Sequence, residues 1–178
     1  VSLSKYEDGV LMPIAGPVKF NCKALNNVTL PATDLPAYAD FVAKVASLRK
    51  ALSATNNIRG ELSGQMSAIQ TAIQEMPAPP QDLLKKAFDL QRRLNTVTLQ
   101  LNGDATRGRR EFEAPSSIND RLGYAQGVMW GTTSAPTQTA IDNYNIAAKQ
   151  FKPALSELKS IAAEVTELGK QLDVKGAP

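Results

Sequence analysis

The sequence predicts a mainly α fold: an elongated up-down bundle of three long helices and one short one, preceded by a small antiparallel β meander. Three observations carry that expectation. Apolar residues recur at alternating four- and three-residue intervals over three long segments. Proline and glycine punctuate the ends of those segments, at Pro77–Pro80, Gly103 and Gly131. Residues 1–26 instead alternate apolar and polar as strands do. The predicted organisation is strands over 1–26, a connector over 27–35 and the bundle over 36–178.

In the β segment, Val1 and Leu3 precede Asp8-Gly9, a strong two-residue hairpin signal, and Val10 and Met12 follow it. A third run, Val18–Ala24, sets Lys19, Asn21 and Lys23 against an apolar face, and Gly16-Pro17 separates it from the second. Cys22 would then be a small, buried hydrophobe. Three such strands are marginal alone in water. They read as the tail of a β-sandwich or as a small sheet docked on the helices.

The helical segments follow from spacing. Asp34 is a suitable N-cap with Pro36 just inside the helix. Phe41, Val45, Leu48, Leu52, Leu62, Met66, Ile69, Ile73 and Met76 share one register, with Thr55 and Arg59 at its two middle positions. One continuous helix over 36–76 is expected, weakened by Asn56, Asn57, Gly60 and Gly64. Leu83, Ala87, Leu90, Leu94, Val97 and Leu101 predict a second helix over 81–102, its stripe widened by Leu84 and Phe88. A short helix over 117–130 should fill the length that the second leaves uncovered. A last helix over 136–172 takes Ile141, Tyr144, Ala148, Phe151, Leu155, Leu158, Ala162, Val165, Leu168 and Leu172 as its seam, with a kink at Pro153.

Composition limits the chemistry. The 178 residues contain no histidine, which removes the commonest general base and metal ligand. A net charge of +3, dispersed along the chain, does not argue for nucleic acid or an anionic membrane surface. No stretch reaches the roughly 20 apolar residues of a membrane span. The opening lacks a basic, signal-like leader and reads as the middle of a longer protein. One cysteine cannot form an internal disulfide.

Few residues stand out as functional. Glu111 and Glu113 are a close carboxylate pair, but Arg107, Arg109 and Arg110 beside them favour solvated ion pairs over glycosidase chemistry. Those arginines could instead grip a phosphate or carboxylated glycan. Asp120 is read as the cap of the short helix, Arg121 as a tie to its neighbour, and Trp130 as core or anchor. No catalytic, cofactor-binding or metal-binding residue is expected. Arg107, Arg109, Arg110, Asp120, Arg121 and Trp130 form the candidate interaction surface, and the open strand edge allows pairing between two copies.

Three runs carry a resemblance: Pro115–Arg121, Gly131–Gln138 and Phe151–Leu158. Together with the Leu101–Asp104 step and Gly16–Phe20, they resemble the C-terminal region of bacterial exported sortilin-like proteins with Asp-box repeat β-propellers, often described as glycosyl hydrolases. The likeness covers nearly the whole chain through structural, not catalytic, residues. It implies an extracytoplasmic parent, periplasmic or secreted, whose upstream domains are this segment's partners. Any hydrolase activity would belong to the propeller. The opening strands would end an immunoglobulin-like domain.

Overall fold

The computed structural model describes residues 1–23, 34–110 and 113–177. The chain divides into two compact units, 1–31 and 32–178.

In the first unit, β1 (Leu3–Glu7) pairs antiparallel with β2 (Val10–Ala15). Asp8 and Gly9 both take positive φ, 51° and 81°, as the tight hairpin turn requires. The expected third strand is not formed over residues 18–23. Val18 exchanges two backbone hydrogen bonds with Val1, at 2.8 and 2.6 Å, but among the described residues no ladder extends from it over Lys19–Lys23. Cys22 is exposed, contrary to the expectation of burial. Ala24 and the 27–33 part of the connector lie outside the described residues.

The second unit is helical, and its order is α1 (Leu35–Glu75), α2 (Gln81–Asn102), α3 (Ala105–Gly108), α4 (Ile118–Trp130) and α5 (Gln138–Val174). Asp34 caps α1 by accepting from the Ala37 N–H at 2.9 Å, and Pro36 sits in the first turn, where no donor is needed. α1 runs unbroken over 41 residues, about 60 Å at 1.5 Å per residue. Its seam is the predicted one. Phe41, Val45, Leu52, Leu62, Met66 and Ile73 are buried, and Thr55 occupies its middle position at 3% exposure.

Gly60 and Gly64 face open space on α1, so their lack of a side chain serves no close approach. Replacing both with alanine should raise stability by about 1–2 kcal/mol in total, through helix propensity alone. A higher urea midpoint with an unchanged slope would confirm it.

The four longer helices build three rows. The Pro77–Pro80 turn reverses the chain, so α2 runs antiparallel to α1, and Asn102 at its end donates to Asn56 at 2.7 Å. α4 continues that row along the rest of α1. Arg49 reaches Asn119 at its start, and the Tyr38 hydroxyl donates to the Met129 carbonyl near its end. α5 returns against α4 and α2 and thus runs parallel to α1, with Phe41 and Tyr144 in edge-to-face contact at 5.8 Å. The expected gap-filling role of the short helix is what the structure contains.

Two readings of the seams change. Phe88 is 58% exposed and does not widen the α2 stripe. In α5 the buried register is Ala140, Ala147, Phe151, Ala154, Leu158, Ile161, Val165, Leu168 and Leu172, while Ile141, Leu155 and Ala162 lie only partly buried beside it. The row thus keeps a strict seven-residue period through alanines, whose small size admits the neighbouring backbones closely. α5 continues through Pro153 as one helix.

Charged side chains tie the rows at their flanks. Arg93 on α2 donates to Glu157 at 2.7 Å and to Glu164 at 2.8 Å on α5. The Arg93 guanidinium, aided by the Ser160 hydroxyl, holds the Glu164 carboxyl below its ordinary value. A depressed carboxylate stabilises the fold above its unfolded pKa, and that contribution is lost as pH falls through the folded one. Arg93→Met should therefore cost about 1 kcal/mol or less near pH 7, since both glutamates are over a third exposed. The difference from the parent chain should vanish in acid below the carboxylate range. A deficit that persisted there would argue against the ion pair as its source.

Candidate interaction surface

The six residues singled out by sequence fall at three separate places. Asp104 accepts from the Thr106 and Arg107 N–H groups and winds the single turn of α3, leaving Arg107, Arg109 and Arg110 exposed. None of the three forms an ion pair among the described residues. Glu111, the neighbour expected to pair with them, lies outside the described residues, and Glu113 is exposed.

Asp120 belongs to the start of α4. Its carboxylate accepts from the Ser117 N–H at 2.9 Å and the Ser117 hydroxyl at 2.7 Å, while the hydroxyl accepts from the Asp120 N–H. That reciprocal box consumes the side chain in capping. Arg121 donates to Asn143 of α5 at 3.2 Å, the tie to a neighbour that its position suggested. Its Nε is buried without a partner.

Trp130 is at the other end of α4, ten residues and about 15 Å from Asp120. It is 84% exposed, so the expectation of a core or anchoring tryptophan is corrected. The inward positions of α4 are Ile118, Leu122, Ala125 and Met129, and Trp130 falls one residue past the last of them, facing outward.

Two concavities accompany these residues. Beside Trp130, α1 and α4 leave a mostly apolar groove of about 410 Å³ over Val42, Ala46 and Met129, with Arg49 and Lys50 at its rim. Arg49 is held there by Asn119 at 2.6 Å and Gln126 at 3.1 Å. Of the α1 residues in this groove, the sequence pointed only to Val45, and to it as a seam residue, not as part of an interaction surface. The available signal was Val42, an apolar residue off the seam.

A larger cleft of about 790 Å³ opens where α2 has ended and α4 has not begun. Arg107 is on its wall, as are Gly103, Pro115, Gln150 and Pro153. Arg107 and Trp130 therefore line different concavities.

Among the described residues, no group of three or more Cys, Asp or Glu side chains is placed to hold a metal ion. No helix among the described residues is long and apolar enough to cross a membrane. The site is thus defined as surface on a three-row helical bundle. No protein-family model, curated protein or solved structure matches the chain.

Proposed function

We propose that the helical unit is a non-catalytic spacer and docking module of a larger exported protein, of the sortilin-like propeller kind that the sequence resembles. One observation carries the spacer reading. Because α1 and α5 run parallel, the unit's first and last helices begin and end at opposite ends of the bundle. Asp34 and Ala177 are thus set apart by roughly the length of α1, about 60 Å. The heptad seams supply the stiffness, and the polar flanks are free of any role in the core.

Spin labels at the exposed positions Ala37 and Asp173, in a Cys22→Ser background, test the span. A mean separation of about 50–60 Å supports it. A separation near half that value would sink the spacer reading. Turnover of any glycoside by the isolated chain would sink its non-catalytic part.

The exposure of Trp130 favours a second reading, an accessory module that binds a ligand or glycan through the 104–134 segment. Aromatic faces of this kind stack on sugar rings and fill partner pockets. If Trp130→Ala and Arg109→Ala leave glycan and partner binding unchanged, that reading is discarded.

A further inference from the structure

The three rows of the bundle are each weakest at one and the same level. In the second row, α2 ends at Asn102 and α4 begins at Ile118, and the described residues between them hold only the single turn of α3. In α5, Pro153 has no N–H to give the Lys149 carbonyl, so one rung of the helix is missing. In α1, Asn56, Asn57 and Gly60 are poor helix formers in succession. Two contacts register the three levels. Asn56 meets Asn102 at 2.7 Å, and Pro153 shares the walls of the 790 Å³ cleft with Gly103 and Pro115.

The α1 side of the core is also more polar there. Between Leu52 and Leu62 the seam of α1 offers Thr55 and Arg59 in place of aliphatic side chains. Thr55 turns its hydroxyl back to the Ala51 carbonyl at 2.8 Å, a bond that favours helix bending. The Asn56–Asn102 link is a single neutral hydrogen bond.

On either side, by contrast, an arginine braces the rows. Arg49 joins α1 to α4 through Asn119 and Gln126 in one half. Arg93 joins α2 to α5 through Glu157 and Glu164 in the other. Neither brace crosses the joint.

We infer that the bundle is two stiff half-rods connected by a hinge at the level of Asn56–Gly60 on α1, the end of α2 at Asn102 and start of α4 at Ile118, and Pro153 on α5. Opening or closing the cleft breaks no helical hydrogen bond in the second row and finds one already missing in α5. α1 alone carries a continuous ladder across the level, so it is the flexure. The hinge deepens the spacer reading: the separation of the ends becomes adjustable about a preferred value.

The test compares distance distributions in the full chain, again with Cys22→Ser. Labels at Lys85 on α2 and Tyr124 on α4 span the joint, whereas labels at Lys85 and Lys159 lie within one half. The spanning pair should give the broader distribution. Pro153→Ala with Gly60→Ala restores the missing rung and stiffens α1, and should narrow the spanning distribution to about half its width while leaving the other pair unchanged. Both substitutions favour helix, so loss of folding is not the expected failure. Equal widths for the two pairs, or a spanning width that ignores the double substitution, would overturn the hinge. The Ala37–Asp173 mean reads the spacer separately, since a straight, unhinged rod keeps it and a folded-back chain does not.

Discussion

Ile161→Ala should destabilise the helical unit by about 2–5 kcal/mol, read from urea unfolding followed at 222 nm. Ile161 is fully buried in the α5 seam, in the half that Arg93 braces. Truncation removes the transfer free energy of its side chain and leaves a cavity that the surrounding rows fill only by moving together. Other members of the same core, among them Leu158, Leu94 and Met66, are equally enclosed and hold the rows apart. Such a change is a large fraction of the roughly 5–15 kcal/mol that separates a typical domain from its unfolded state. A loss below about 1 kcal/mol would mean that Ile161 is not enclosed and that the register of α5 is wrong.

Ala147→Leu should be harmful in the opposite sense. Ala147 is fully buried, with no accessible surface, so three added carbons must displace the rows and cost about 1–3 kcal/mol. The same substitution at Ala163, exposed on the opposite face of α5, should change stability by no more than about 0.5 kcal/mol. If the two variants unfold at the same urea concentration, the alanine seam does not exist.

These two residues also mark where the sequence was legible. In α1 and α2 the seam is made mostly of Leu, Val, Met, Ile and Phe, so large apolar side chains at four-three spacing announced themselves, and Ala87 fell into place between Leu83 and Leu90. In the first half of α5 the buried positions other than Phe151 are Ala140, Ala147 and Ala154, each beside or near a larger apolar residue such as Ile141 or Leu155. Hydrophobicity alone prefers the larger neighbour, whereas packing distance prefers the smaller one. The strict heptad, counted back from Leu168 through Ile161, was the signal that could have decided it.

The candidate surface was less legible for a different reason. Asp120 and Arg121 were readable because capping and helix-neighbour ties are local. Trp130 was not, since its exposure depends on Met129 taking the last inward position of α4 and on what α1 presents opposite. Phe88 misled in the same way, a large apolar side chain lying outside the buried stripe. The run from Val18 failed because alternation describes a strand's faces but cannot say whether another backbone lies opposite it. Pro153, Asn56 and Gly60 were each visible as local weaknesses. Their coincidence at one level required the rows to be aligned.

The uniform heptad has a consequence for how this module can change size. A growth step is tolerated only if it leaves every inward side chain pointing inward, and seven residues is the smallest number that nearly does so. Lengthening must also occur in α1, α2 and α5 together, because a longer single row would project without a neighbour. The reach of the module is therefore quantised, with increments of about 10 Å per added heptad. Insertions of one, two, five or six residues would rotate the side chains beyond them by more than about 90°, out of the interior.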